Sequence, residues 1–402
     1  MTPERRTDVA LAALALVAGG SYVAWWTGLA RAGRFQPVDF DAFYTGAAIV
    51  RDGFGARLYD LRLQAAYQAA LLGFLPLRGG PLPFVSPPSV AVALLPLAAL
   101  PIDAAHRVWS VLQLALAAAL GRGAWRAAGE RPGERALGLA ATLAFPMLFV
   151  TLYKGQVTLL VLLALLGWWR GLRRGDDRAS GLCLVAFAVK PQLFLAPLLV
   201  TALRRRGRAL AWFAAGSAVV ALGTVAVVGV GPWRDFLAVT RALEVTYDYQ
   251  LVYPAHMYNF RGFLALLGVA PPLTITLTRV GLAAALAVVA LLWVREPPTA
   301  PLDDRRVAAS LLLTVFFTPH LYFYDTLLLL AVAAPFHAWL RASRPAGARA
   351  FLLAALVVPA LFLETAWVPV GSGGVRAAPV LMALWGGWIA RELMRPAPAP
   401  AA

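Results

Sequence analysis

Of the 36 Lys and Arg residues in this chain only two are lysines: Lys154, in YKGQ, and Lys190, in VKPQ. Each falls at the turn of a tight apolar hairpin. A lysine at such depth is costly unless it faces water or an anion, so an ionisable group there predicts a functional site. Its compact ammonium suits a phosphate. Carboxylates form a second group. VDFDAFYTGAAIVRDGFGARLYD (38 to 60) gathers Asp39, Asp41, Asp52 and Asp60 in a chain with only 20 acids. A carboxylate within about 2.6 to 3.2 Å of a hydroxyl can take its proton. Two further segments carry chemistry in short compass: FTPHLYFYD (317 to 325) with His320, Tyr322, Tyr324 and Asp325, and HMYNFRG (256 to 262) with His256, Asn259 and Arg261. His320, beside a proline and five residues before an aspartate, is the better candidate for proton transfer; for His256 a structural role is an equal alternative.

The elements that must position these residues are membrane helices. Hydrophobic residues make up 60% of the chain and charged ones 14%, so lipid is its natural solvent and an all-α polytopic membrane protein is expected. The net charge of +16 does not indicate nucleic acid, because the arginines are spread over short interhelical loops. The single cysteine, Cys183, excludes a disulfide framework and a cysteine metal cluster. Arg5/Arg6, Arg122 to Arg135, Arg170 to Arg178, Arg204 to Arg208, Arg295 to Arg306, Arg341 to Arg349 and Arg391/Arg395 form seven clusters. Placing all seven in the cytoplasm predicts about twelve spans with both termini inside. They lie near 9 to 27, 104 to 121, 137 to 153, 157 to 169, 179 to 189, 191 to 203, 209 to 230, 273 to 294, 307 to 319, 326 to 340, 350 to 367 and 376 to 391. SPPSVAVALLPLAALP (86 to 101), broken by four prolines, is read as a juxtamembrane or re-entrant helix rather than a thirteenth span.

This frame puts the whole first outer loop, 28 to 103, outside, together with 231 to 272 and both lysine turns. Hairpin legs of 11 to 13 residues rise only about 17 to 20 Å against a hydrocarbon core of about 30 Å, so the tips lie below the outer surface. A polyprenyl phosphate, held in the membrane with its phosphate near the interface, fits such a place. Residues 1 to 395 form one domain, and the Pro/Ala tail, 396 to 402, is expected to be disordered. Asp52 and Asp60 are expected to shape their loop with Arg51, Arg57 or Arg62 as partners. The acids at 176, 177, 303 and 304 are expected to be solvated.

The order VDFDAFYTGAA, LYD, SPPSVAVALLPLAALP, YKGQ, AVKPQLFLAPLLVTALRRR and TPHLYFYD resembles glycosyltransferase family 87 over roughly residues 35 to 345. The resemblance implies the C-type glycosyltransferase membrane fold and an inverting hexosyltransferase of the plasma membrane with its site facing outward. It implies transfer of a hexose, mannose by analogy, from a polyprenyl-phosphate sugar to a glycolipid or extracytoplasmic glycan. On this resemblance Asp39 is the first choice for the catalytic base, and Asp41, which a shifted alignment favours, the second. His320 matches the outer loop that closes the same cavity. Lys190, and after it Lys154 and Arg261, match positions near the donor phosphate, with Arg279 a further cation in the outer third of its helix. Tyr44, Gln156, Gln192, His256, Asn259, Tyr324 and Asp325 are the sugar or acceptor contacts. Some C-type enzymes use a divalent metal; Asp39 and Asp41 have no further ligand cluster beside them, so no cofactor is expected. A transporter or flippase of polyprenyl-linked sugars is the rival reading, against which stands the absence of repeated halves.

Overall fold

The computed structural model describes residues 38–245 apart from 74 and 76–79, residues 256–358, 367–370 and 373–395, and scattered helical residues between 9 and 31. The expected first span, 9 to 27, is thus described only in part, and the tail at 396 to 402 lies outside the described residues. Val38–Arg51 (α1) and Leu61–Leu72 (α2) are followed by two short helices, Pro88–Ala93 (α3) and Leu95–Ala98 (α4). Ile102–Ala128 (α5), Pro132–Leu143 (α6), Pro146–Lys154 (α7) and Thr158–Arg174 (α8) come next. Asp177–Leu184 (α9), Leu195–Leu203 (α10), Gly207–Val228 (α11), Gly231–Val245 (α12) and Phe260–Leu266 (α13) lead to Pro271–Val294 (α14). Asp304–Phe317 (α15), Leu329–Ser343 (α16), Pro345–Val357 (α17) and Ala377–Met394 (α18) complete the helices. A small hairpin, Trp367–Val370 (β1) antiparallel to Gly373–Arg376 (β2), is an addition to the expected all-helical class.

Local chemistry sets many of these boundaries. Proline stands at the first positions of α3, α6, α7, α14 and α17, where a missing N–H has no cost. Asp60, Asp176 and Asp303 accept backbone N–H groups at the starts of α2, α9 and α15. Asp60 also pairs with Arg57 at 2.6 Å, and Asp52 with Arg51 at 2.7 Å, so these two acids shape the loop as expected. Asp304 departs from expectation. It is 7% exposed rather than solvated, accepting from Trp169 Nε1 at 2.8 Å and pairing with Arg173 at 3.0 Å. Trp169 and Arg173 are one turn apart on α8, so both reach the same carboxylate.

Among the described residues, three helical stretches are long and apolar enough to cross a membrane: Gly207–Val228, Pro271–Val294 and Phe323–Ser343. Pro132–Leu143 and Pro146–Lys154, bent by 46° at a proline, make a fourth candidate if taken as one. Of the other expected crossings, 104 to 121 lies within the unbroken 27-residue α5, which is long enough but is not among the apolar stretches, and several of the rest are shorter or broken. The stretch 179 to 189, for example, ends α9 in a 3₁₀ turn at Val185–Ala188. Only 11% and 17% of the apolar stretches in α11 and α14 are buried, against 61% in Phe323–Ser343. The first two therefore present Val219, Leu222 and Leu291 outward, as a lipid-facing helix does, while the third lies at the centre.

The stretch expected to form the first outer loop is, among its described residues, a packed unit. Phe40 and every residue from Ala42 to Val50 on α1 are buried, and α1 packs on α2, α3 and α4. Gly46 lets Phe84 lie against α1, since a Cβ there would stand 2.7 Å from the ring. Two buried glutamines hold the extended chain over α1: Gln68 bonds both the N–H and the carbonyl of Leu82, and Gln64 accepts from the N–H of Phe84. This satisfies backbone groups that burial would otherwise orphan. The stretch 86 to 101 forms α3 and α4, far too short to cross, as its prolines predicted.

Candidate functional site

Both lysine turns, the start of α1 and the 317 to 325 loop converge at the Thr158 end of α8. The first turn is built on backbone. Gly155 ends α7 at φ +68°, and its carbonyl accepts from Trp109 Nε1 at 2.9 Å, while the Gln156 carbonyl accepts from Gln113 Nε2 at 2.6 Å. A Cβ at 155 would stand 2.7 Å from Phe40 Cβ, so this turn is pressed onto α1 one residue from Asp39. Lys154 forms no hydrogen bond or ion pair among the described residues and acts on Asp39 through its charge.

The second turn is held by its own side chain. Lys190 sits between two 3₁₀ turns, Val185–Ala188 and Pro191–Leu193, and its ammonium pairs with Asp325. It also donates to Thr158 Oγ1 at 3.1 Å and lies 5.4 Å from the centre of the Tyr324 ring. Thr158 in turn donates to the same Asp325 oxygen at 2.6 Å. The pair is desolvated, with side-chain exposure of 14% for Lys190 and 4% for Asp325. Ser89 Oγ donates to the Ala188 carbonyl at 2.6 Å and ties this turn to α3.

The 317 to 325 loop is pinned by the 256 to 262 segment. Tyr258 N–H donates to the Leu321 carbonyl at 3.0 Å, Met257 and Tyr322 form an antiparallel bridge, and Arg261 Nη1 donates to the Pro319 carbonyl at 3.3 Å. Asn259 spends both ends of its amide here, accepting from Gly262 N–H and donating to the Thr318 carbonyl at 2.6 Å. The result presents His320 with its ring 5.2 Å from that of Tyr322, which stacks on Tyr324 at 5.7 Å. Nδ1 of His320 is buried without a hydrogen-bonding partner among the described residues. Burial lowers the pKa of His320 to about 4, Asp325 opposing and Lys190 and Arg261 adding to the fall, so its imidazole is neutral at pH 7.

The two leading acids separate on α1. Asp39 faces the cluster: its carboxyl is raised by burial against the opposing charge of Lys154, a hydrogen bond from Gln156 and the charge of Lys190, with Asp325 raising it further. Its Oδ2 is shielded from solvent and has no hydrogen-bonding partner among the described residues. Asp41, 3% exposed, is pushed up to about 7 by burial, then by Asp39 and Asp103. Its neighbours are thus the start of α5 rather than the lysines. Two residues apart on a helix, the two carboxyls point to different surroundings, and the described residues hold no group of three His, Cys, Asp or Glu suited to a metal ion.

Some expected contacts lie elsewhere. Tyr44 is buried, its hydroxyl donating to the Leu100 carbonyl at 2.6 Å. Gln192 lines a small gap against Leu282 and Leu286 of α14. Arg279 is exposed on α14, and His256 is exposed beside the loop. Sequence reasoning passed over Thr158, whose signal is a hydroxyl opening the otherwise apolar run TLLVLLALL. It also passed over Trp109 and Gln113, which hold the first turn from another helix.

Comparison with known proteins adds one match. The model of glycosyltransferase family 87 matches residues 84–319, more than half of the chain, covering both lysine turns and ending at the residue before His320, while Asp39 precedes it. No curated protein and no solved structure matches.

Proposed function

The chain belongs to glycosyltransferase family 87 and is a membrane glycosyltransferase, and from that premise we propose an inverting transfer of a hexose, mannose by family analogy, from a polyprenyl-phosphate donor to a glycolipid or extracytoplasmic glycan. In this reading Asp39 Oδ2 takes the proton of the acceptor hydroxyl as its oxygen attacks the anomeric carbon. The bond from that carbon to the phosphate oxygen breaks, and the lipid phosphate leaves with the electron pair. Lys154 and Lys190 balance the charge that gathers on it. Neutral His320, with Tyr322 and Tyr324, forms the wall on which the sugar rests. The chain would adopt the C-type fold with about twelve crossings, its site facing outward and no metal required.

The observation that supports this most is Asp39: an acid with one oxygen unbonded among the described residues, a raised pKa and two lysines acting on it. A carboxylate so placed is a stronger base than an exposed one. The test is transfer by purified protein from polyprenyl-phospho-mannose to candidate glycolipids, wild type against Asp39→Asn. Loss of about 10³-fold is expected for this substitution, within the usual span for a general base. The wild-type pH–rate profile should carry an acid limb above the ordinary carboxylate range. Unchanged transfer in Asp39→Asn would remove the base assignment, and no transfer from any polyprenyl-phospho-sugar would return the chain to the carrier reading.

A further inference from the structure

A cavity of about 410 Å³ lies between α5, α6, α8, α16, α17 and α18, away from the polar site. Thr158 touches Lys190 at one end of α8, and Arg170 lines the cavity near the other, twelve residues or about 18 Å along the axis. Asp325 and His337 are separated in the same way along the stretch that ends in α16. The volume falls in the range of ligand pockets, and the walls are largely alanine, leucine and aromatic rings.

The polar groups on those walls are mostly donors without acceptors. Arg170, half-buried, makes no hydrogen bond or ion pair among the described residues. Its guanidinium lies against Gly123 of α5, where a Cβ would stand 3.4 Å from Nη2, in ordinary contact. His337 is 7% exposed and its Nε2 has no hydrogen-bonding partner among the described residues; Nε1 of Trp385 is buried in the same condition. Arg and Trp N–H groups donate and do not accept, so the complement is an oxygen-rich anionic head joined to an apolar body.

We propose that this cavity holds one anionic phospholipid of the surrounding membrane, its phosphate at Arg170, His337 and Trp385 and part of its acyl chains along the wall formed by Ala119, Ala124 and Ala141. Arginine-rich turns at 122 to 135, 170 to 178 and 341 to 349 gather at this end, and Arg341 donates to the Ala127 carbonyl at 2.5 Å, joining α16 to α5 beside the cavity. This is the end expected in the cytoplasm, where the leaflet is rich in anionic lipid. The lipid would fill space between six helices and give partners at once to the half-buried Arg170 and to the buried His337 Nε2 and Trp385 Nε1.

The test is native mass spectrometry and thermal unfolding of delipidated protein given phosphatidylglycerol, phosphatidylcholine with the same chains, or inorganic phosphate. Wild type should retain one phosphatidylglycerol about tenfold more tightly than phosphatidylcholine, as one charge-assisted contact allows, with a rise in Tm, and should not bind inorganic phosphate comparably. Arg170→Gln should abolish the preference and Arg170→Lys should keep it. Trp385→Phe should weaken it with folding intact, and Ala124→Phe should cut retention of both lipids. Equal retention of the two lipids by wild type, a preference surviving in Arg170→Gln, or phosphate binding as tightly as phosphatidylglycerol would each overturn the proposal. Because the readout is bound mass rather than transfer, it stands or falls apart from the proposed reaction.

Discussion

The two lysine turns look alike in sequence and are built in opposite ways. At YKGQ the backbone is fixed, by Trp109 and Gln113 on α5 and by contact with Phe40, and the lysine side chain is left unpaired among the described residues. At VKPQ the side chain is itself the fixture, desolvated against Asp325 and Thr158. A cation with no partner can meet an incoming anion at once, whereas a buried paired one must share or exchange its partner first. Under the proposed transfer the difference assigns unequal roles: Lys154 would first meet the donor phosphate, and Lys190, which ties its turn to Asp325 and Thr158, would be recruited as charge develops.

The sharpest way to break this contrast is Lys190→Met. It leaves Asp325 buried without its counterion, so it should cost about 3 to 5 kcal/mol of stability and lower transfer by at least about 10²-fold. Adding Asp325→Leu should recover much of the stability and none of the transfer, as thermal unfolding and a radiolabelled-sugar assay would show. Next in size is Gly155→Ala. A left-handed residue forced against Phe40 should cost about 1 to 3 kcal/mol and lower kcat by displacing Asp39, with no comparable effect from an alanine at Gly207, where a Cβ meets open space. Lys154→Met should raise the donor KM about tenfold, equivalent to about 1.4 kcal/mol, with a Tm close to wild type. A Tm loss as large as that of Lys190→Met would erase the distinction between the turns.

The smallest expected effect on transfer lies on the other face of α1, where the readout is stability against pH. The carboxyl of Asp41 is raised in the folded protein to about 7, so folding favours its protonated form. The stability this contributes is fully present below its unfolded pKa of about 4 and is lost as pH rises through about 7. Wild type should therefore lose Tm between about pH 4 and 7 and level off above that, and Asp41→Asn should flatten that slope.

Much of the site was legible because charge inside apolar sequence is costly and therefore informative. Asp39, Lys154, Lys190, His320 and Asp325 all announced themselves in this way, and the structure brings them together. What sequence could not supply is which polar atoms are already spent. Tyr44 and Asn259 look available in one dimension, yet their partners Leu100 and Thr318 lie 56 and 59 residues away. Residues 28 to 103 were read as an outer loop from the placement of the arginine clusters, while the burial of α1 depends on Phe84 and on Gln64 and Gln68 folding the chain back. The count of twelve crossings was the least legible feature. Kinks at Pro146 and 3₁₀ breaks at 185–188 divide apolar runs in ways that hydropathy alone does not resolve.

The pairing of Lys190 with Asp325 also dictates when the protein can be finished. The two residues are 135 positions apart, and ribosomes add about 5 to 20 residues per second, so during synthesis Lys190 emerges about 7 to 27 seconds before its counterion exists. Throughout that interval the VKPQ turn carries an uncompensated charge at the membrane and must wait in water, in the insertion machinery or against lipid phosphate. The contact that desolvates Lys190 against its counterion can therefore form only once Asp325 has been made and delivered to it.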